Sequence, residues 1–154
     1  MMPLQEISDR LEIQDLFARY SFAIDERDWD ALDDVFTPDA FIDYSEAGGE
    51  KGPPDQIKRW LAVAMERFPM FQHMVATTKL ELNGDTANSR TILFNPMVYR
   101  KDDGENQIFF IGLWYRDKLV RTEKGWRIKE RREEMAYAYN TPEMPAAPAL
   151  AQVD

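Results

Sequence analysis

The strongest constraint on the fold is a change of hydrophobic period near Pro69. From Leu4 to Ile24, apolar residues recur every three or four positions, which is typical of an amphipathic helix. After Pro69, β-branched and aromatic residues run in stretches that are separated by turn signals at 83–85, 101–104 and 123–125. The sequence therefore predicts helices first and an antiparallel meander second.

Two more helical segments precede the meander. Apolar spacing predicts a second helix from Trp29 to Phe36, ended by Thr37-Pro38-Asp39, and a third that begins at Pro53-Pro54 and reaches Phe68. A short strand is predicted at 40–44, and four longer ones near 71–82, 86–100, 106–121 and 125–139. The predicted class is α+β: a cone-shaped α+β barrel with three N-terminal helices packed on a strongly curved, mainly antiparallel sheet.

Length and composition predict one domain. The chain has 154 residues, of which 44% are hydrophobic, and this is enough for a real core. We expect a single domain over 1–140. The tail at 141–154, rich in proline and alanine, is expected to be either a lid or disordered.

Charge and residue counts exclude several function classes. With 28 acidic and 19 basic side chains, the net charge of −9 argues against nucleic-acid or anionic membrane partners. The absence of cysteine excludes disulfides and thiolate sites, and a single histidine excludes multi-histidine metal centres. Neither a phosphate loop nor a dinucleotide fingerprint is present. We expect no cofactor, no metal, a small-molecule substrate and a cytoplasmic location.

His73 is the most informative residue, because histidine is the side chain best suited to proton transfer near neutral pH. It lies at the start of a predicted strand, among apolar neighbours. Asp25 extends the apolar stripe of the first helix, where a carboxylate needs a partner. Asp25 is thus a candidate to orient His73 as a general base. The alternatives are a structural buried histidine and an aspartate that only caps the next helix.

Three more residues are candidates for catalysis. Tyr20 lies in the first helix and Tyr44 ends the first strand, so both hydroxyls can face the interior, although core aromatics often occupy such positions. In the last strand, strict alternation places Arg132 on the inner face, whereas a bulge would place Arg131 there instead. The charged run that contains them is alternatively a solvated edge.

Pocket walls are expected from apolar and aromatic residues of both halves, with methionines adapting to an irregular ligand. The predicted set is Phe22, Trp29, Met65, Phe71, Phe94, Met97, Phe109, Trp114 and Tyr137.

Several motifs carry a family resemblance over residues 5–138. The order of Phe17-Ala18-Arg19-Tyr20, the segment 25–32, Ile42-Asp43-Tyr44 and Gln72-His73 resembles the SnoaL-like branch of the nuclear transport factor two superfamily. Within that superfamily the chain resembles scytalone dehydratase and hexachlorocyclohexane dehydrochlorinase. The resemblance implies a catalytic dyad of Asp25 and His73, with Tyr44 orienting a water.

The resemblance also implies roles for two other residues. Arg131 corresponds to a dehydrochlorinase arginine near the leaving group, and Tyr20 to the catalytic tyrosine of the more distant ketosteroid isomerase. The sequence departs from each relative: Ile24 replaces a dehydratase tyrosine, Tyr20 replaces the dehydrochlorinase lysine, and Tyr44 stands at the isomerase base. A base, its carboxylate and an aromatic pocket are common to all three comparisons.

We therefore predict a cofactor-independent lyase that eliminates water or halide from a small, mostly apolar, ring-containing substrate. The alternatives are a carbon–carbon lyase that releases a small aldehyde from an aromatic diol, a ketosteroid-isomerase-like enzyme, and a non-catalytic binding module. Apolar residues of both parities in the sheet, such as Phe110 and Ile111, predict a homo-oligomer. The resemblance favours a trimer over a dimer.

Overall fold

A curled, seven-stranded mixed sheet and two α-helices make up the protein in the computed structural model, which describes residues 1–144. The helices are α1 (Leu4–Asp25) and α2 (Pro54–Ala64). The strands are β1 (Phe36–Asp43), β2 (Lys51–Gly52), β3 (Met70–Phe71), β4 (Met74–Asn83), β5 (Thr86–Arg100), β6 (Asn106–Thr122) and β7 (Gly125–Tyr139). The α+β class and the four-stranded meander are as predicted.

The sheet is open, so the predicted barrel is wrong. Its strand order is β2-β1-β7-β6-β5-β3, and β4 also pairs with β5. Strands β1 and β7 are parallel, and the other pairs are antiparallel. One edge of the sheet is the two-residue strand β2, and the other is formed by β3 and β4, which both pair with β5; no strand pairing joins these two edges in residues 1–144. Helix α1 contacts both β4 and β7, so the sheet curls around it.

The described chain has two α-helices rather than the predicted three. The segment predicted as the second helix forms only a five-residue 3₁₀ helix, Asp30–Asp34. The next residues, including Thr37-Pro38-Asp39, belong to strand β1 instead of ending a helix. Pro38 fits there because the pairing of β1 with β7 shifts register between Phe36 and Phe41, where no ladder bond requires its missing N–H.

The strand predicted at 71–82 is interrupted at Gln72 and His73. Strand β3 ends at Phe71 and β4 begins at Met74, and both pair with β5. The backbone N–H of His73 donates to the Asp25 carboxylate rather than to a neighbouring strand. The interruption therefore ties the end of α1 to the sheet.

Two bulges decide which side chains of β7 face the interior. Leu119 pairs with Ile128 and Lys118 with Glu130, so Lys129 is an extra residue without a partner in β6. Past this bulge the alternation inverts, and Arg131 is fully buried whereas Arg132 is half exposed. A second register shift lies between Gly112 and Leu113 of β6, and it inverts the alternation of β7 once more near the end of that strand.

Arg131 forms an ion pair inside the core. Its Nε and Nη2 donate to Asp117 Oδ1 and Oδ2 at 2.8 and 2.7 Å, and both side chains have zero exposure. The guanidinium carbon lies 4.2 Å from the ring centre of Tyr20 and 4.0 Å from that of Tyr115. This bidentate geometry and the two aromatic faces offset the cost of burying the charge.

Replacing Arg131 by methionine is expected to lower the free energy of unfolding by about 3–5 kcal/mol, because Asp117 is left as an uncompensated buried charge. The double variant Arg131→Met/Asp117→Leu should recover most of that loss. Chemical denaturation measures both. Arg132→Met is the matched control and should cost less than about 1 kcal/mol, since its ion pairs are solvated. Equal losses from the two single variants would contradict this account.

Candidate functional site

A cavity of about 320 Å³ lies between the helices and the inner face of the sheet. Its polar lining comes from Tyr20 of α1, His73 at the strand interruption, Asn95 of β5, Tyr115 of β6 and Glu133 of β7, together with Tyr44 and with Arg67, which follows α2. Mostly apolar residues of the helices, of the segments 47–49 and 65–68, and of the sheet line the rest. The volume is at the lower end of the range for small-molecule pockets.

His73 and Asp25 are in direct contact at one end of the cavity. Asp25 Oδ1 lies 2.7 Å from His73 Nδ1, and the two carboxylate oxygens accept the His73 backbone N–H at 3.1 and 3.0 Å. With Asp25 ionised, this geometry places the ring proton on Nδ1 and leaves Nε2 as an acceptor. The pair is thus arranged as a base with its orienting carboxylate.

Asn95 stands next to the free ring nitrogen. Its Nδ2 is 3.5 Å from His73 Nε2, a long contact. Its Oδ1 is buried and has no hydrogen-bond partner among the described residues. A buried amide oxygen without a partner is costly, so Asn95 leaves an unsatisfied acceptor in the wall that contains His73.

Three tyrosine hydroxyls form a chain across the cavity. Tyr20 Oη lies 2.8 Å from Tyr44 Oη and 3.3 Å from Tyr115 Oη. The Tyr20 ring also meets the His73 ring edge-on, with 6.4 Å between centroids. Burial raises the pKa of Tyr20, and it raises those of Tyr44 and Tyr115 further. All three stay protonated at neutral pH and can donate hydrogen bonds.

Arg131 does not reach the cavity, in contrast to its predicted place near a leaving group. It lies behind Tyr20 and Tyr115, and its charge is taken up by Asp117. Arg131 faces inward, and Arg132 does not, because of the bulge at Lys129. Its contact with the cavity is indirect, through the rings of the two tyrosines.

Three of the nine predicted wall residues line the cavity: Met65, Met97 and Phe109. The other six lie elsewhere. Phe94 and Trp114 fall on the outer face of the sheet by strand alternation, where Phe94 stacks on Phe110 and Trp114 lies under Arg90. These two predictions were wrong because sequence spacing does not show which strand face is inside.

The remaining four predicted wall residues pack outside the cavity. Phe22 lies on the outer side of α1 and is 63% exposed. Trp29 packs against the core after α1 ends, and Phe71 packs behind the His73 ring, under Arg27. Tyr137 follows the second shift in β7 and covers Gly112 from outside, where any Cβ on the glycine would meet its ring.

Glu133 is the residue whose importance the sequence did not indicate, because it lies in a charged run that looks like a solvated edge. The Lys129 bulge turns it inward to the cavity. The backbone N–H of Ala47 donates to the carboxylate, while Oε2 is buried with no hydrogen-bond partner among the described residues. Burial raises the pKa of Glu133 to about 8, although Arg131 and the Ala47 N–H act in the opposite direction.

The first residues of the C-terminal tail contribute to the cavity wall. Met144 of the tail lines the cavity, and the neighbouring Pro142 is buried. The lid or disorder predicted for the tail concerns mainly 145–154, which lie outside the described residues.

Within 1–144, no cluster of three or more histidine or carboxylate side chains is placed to hold a metal ion. No helix in that range has the length and hydropathy to span a membrane.

The raised pKa of Glu133 has a consequence for stability. The folded protein keeps this proton up to about pH 8, whereas an ordinary glutamate loses it near 4.5. The stabilisation is therefore complete below pH 4.5 and is lost as the pH rises to about 8. Glu133→Gln should remove this slope in urea denaturation curves measured across the interval.

Glu134→Gln is the matched control. The pKa of Glu134 is lowered to about 2 by Arg116 and Arg90, so its charge is constant over the same interval. The control should therefore keep the wild-type slope. A slope that persists in Glu133→Gln would show that another group is responsible.

Sequence comparison places the chain in a family: residues 5–132 match the SnoaL-like domain, and the protein belongs to that family. A relative from Mycobacterium tuberculosis, the uncharacterized protein Rv2910c, is 52% identical over 133 residues, which cover 86% of this chain and 89% of that protein.

Solved structures agree on the fold. A candidate aromatic ring hydroxylase from Novosphingobium aromaticivorans is 29% identical, with a TM-score of 0.78 over 92% of this chain and 96% of that one. A candidate scytalone dehydratase from the same species is 18% identical, with a TM-score of 0.78 over 97% of both chains. Hexachlorocyclohexane dehydrochlorinase LinA type 2 is 19% identical, with a TM-score of 0.78 over 95% and 97%.

Proposed function

We propose that the protein is a cofactor-independent lyase that eliminates a leaving group from a small, mostly apolar, ring-containing substrate. His73 Nε2 removes a proton from carbon, and Asp25 stabilises the imidazolium that forms. The observation that carries the proposal is the 2.7 Å contact between Asp25 Oδ1 and His73 Nδ1 at the wall of a cavity.

The double anchoring of His73 supports a catalytic role over a purely structural one. Asp25 accepts both the ring and the backbone N–H, so the imidazole is held in one orientation. A buried structural histidine would have both ring nitrogens in firm hydrogen bonds. Here Nε2 has only the long contact with Asn95, so it is available for a substrate proton.

The polar wall next to the base supports stabilisation of negative charge. Removing a proton from carbon leaves charge on the substrate, commonly on a carbonyl oxygen, and fixed hydrogen-bond donors stabilise it. Tyr20 and Tyr44 are protonated donors whose hydroxyls meet at 2.8 Å. Arg131 contributes through the tyrosine rings that it contacts.

The relatives agree with this chemistry at the level of fold. The names of two structural neighbours describe a candidate dehydratase and a dehydrochlorinase, and both names denote elimination reactions. At 18% and 19% identity they support the architecture, so the proposal for this chain depends on its own dyad and cavity.

Association into a homo-oligomer stays a prediction, and so does a cytoplasmic location. The outer face of the sheet carries stacked aromatic rings, Phe94 on Phe110 and Phe110 on Tyr139, with Tyr139 67% exposed. Such a surface is suited to contact with another copy of the chain.

The test is turnover of a panel of small cyclic alcohols and halides that carry an acidic C–H beside the carbon bearing the leaving group. The wild type is expected to form the alkene. His73→Gln should lower kcat by about 10²–10⁴, the usual contribution of a general base. Asp25→Asn should also lower kcat, because the variant lacks the carboxylate that holds the ring proton on His73 Nδ1. Product analysis by mass spectrometry identifies the reaction.

Glu26→Gln, a change at the exposed residue next to Asp25, is the matched control and should keep wild-type turnover. Full activity in His73→Gln would contradict the mechanism. An aldehyde product would indicate carbon–carbon cleavage, and a shifted double bond would indicate isomerisation. Binding of the panel without turnover would favour a non-catalytic binding module.

A further inference from the structure

The Glu133 carboxyl is a second titratable group in the same cavity as His73. One of its oxygens, Oε2, is buried and lacks a hydrogen-bond partner among the described residues, while the Ala47 N–H donates to the carboxyl group. A buried ionised carboxylate would leave strong acceptor capacity unused, whereas the protonated form has an O–H to donate. The surroundings therefore favour the neutral acid.

Several charged groups surround Glu133, and Arg67 lines the same cavity. Asp43 at the end of β1 and Glu46 in the following 3₁₀ helix disfavour its ionised form. Arg131 favours the ionised form, but Asp117 holds that guanidinium in a bidentate pair. The tyrosines that face it are Tyr20, Tyr44 and Tyr115, and a negative charge on Glu133 raises the pKa of each of them. The proton is thus held in place until about pH 8.

Glu133 and His73 approach the cavity from different sides. Three strand steps separate β7 from β3 and β4, which amounts to roughly 14 Å between backbones in a flat sheet. The two side chains extend inward from this curled sheet and both line the cavity. A ring-sized molecule between them would have a base on one side and an acid on the other.

We propose that Glu133 is the proton donor of the reaction, and that the substrates of this site are cyclic alcohols that lose water. The proposal depends on the lyase function proposed above and specifies its leaving group. It follows from the placement, across one cavity, of an acceptor nitrogen and a buried carboxyl whose Oε2 has no hydrogen-bond partner in the described part of the chain.

The step balances in atoms and charge. His73 Nε2 takes the proton of a C–H bond, and that electron pair forms the C=C bond. The adjacent C–O bond breaks with its electron pair on oxygen, which takes the proton of Glu133 and departs as water. The enzyme is left with an imidazolium and a carboxylate, and transfer of one proton between them through solvent restores the starting state.

A hydroxyl leaving group needs this acid, whereas a halide does not. Hydroxide is a poor leaving group and requires protonation, but chloride departs as a stable anion. Tyrosines are less suited to the task, because burial raises their pKa values far from neutrality. Proton donation is most efficient when the pKa of the acid lies near the working pH, which the value of about 8 for Glu133 satisfies.

The test compares two ketones that differ only in the leaving group, 3-hydroxycyclohexanone and 3-chlorocyclohexanone. Both yield cyclohex-2-enone, which is followed by its ultraviolet absorbance after subtraction of the uncatalysed rate. Glu133→Gln should lower kcat on the hydroxy ketone by about 100-fold and on the chloro ketone by less than about 3-fold. His73→Gln should lower both, and Glu134→Gln should lower neither.

The pH profile gives a second readout that a merely structural role would not produce. Activity on the hydroxy ketone should fall above about pH 8 as Glu133 ionises, and this alkaline limb should be absent for the chloro ketone. Equal losses on both ketones in Glu133→Gln, or no loss on either, would overturn the proposal.

A measurement without turnover separates this inference from the proposed function. Carbon-13 labelling of glutamate carboxyls should show one group that titrates near pH 8, present in His73→Gln and absent in Glu133→Gln. A Glu133 signal titrating near 4.5 would overturn the inference, since the acid would be ionised at neutral pH. Failure of the wild type on both ketones, with Glu133 titrating near 8, would overturn the proposed elimination and with it the donor role.

Discussion

The site depends on one carboxylate that holds two N–H groups of a single residue. Asp25 ends α1 and accepts both the backbone and the ring N–H of His73, within 3.1 Å. The backbone bond is possible only because the strand is interrupted between Phe71 and Met74, which frees the amide of His73 from the sheet. Helix position, strand pairing and imidazole orientation are therefore fixed by the same contact.

The opposite wall depends on a single extra residue in β7. Lys129 has no partner in β6, and past it the alternation of β7 inverts. Arg131 then enters the core beneath the tyrosines, and Glu133 faces the cavity. Strict alternation would have pointed Arg132 and Glu134 inward instead, with Arg131 and Glu133 on the outer face. Backbone geometry therefore decides which arginine and which glutamate form this wall.

The sequence predicts the parts of this structure that local rules govern. Helical spacing identifies α1 and α2, turn signals identify the meander, and the apolar stripe of α1 indicates that Asp25 needs a partner. The prediction of a second helix from Trp29 to Phe36 is wrong because the apolar spacing covers too few residues, and the segment forms one short 3₁₀ helix. The inward turn of Glu133 depends on a bulge, which arises from the pairing of two strands and leaves no clear local mark. Phe94 and Trp114 lie on the outer face because their neighbours Leu93 and Tyr115 are buried, and both parities of these strands carry apolar residues, so the sequence does not show which parity faces inward.

The account rests on the orientation of one ring, and because the chain contains a single histidine that orientation is directly measurable. Nitrogen-15 chemical shifts of His73 at neutral pH, read from labelled protein, distinguish a protonated from an unprotonated ring nitrogen. The account predicts a proton on Nδ1 and a bare Nε2 in the wild type, with a mixture of tautomers in Asp25→Asn. A proton on Nε2 and a bare Nδ1 in the wild type would contradict it, because the nitrogen facing the cavity would then be unable to accept a proton from substrate.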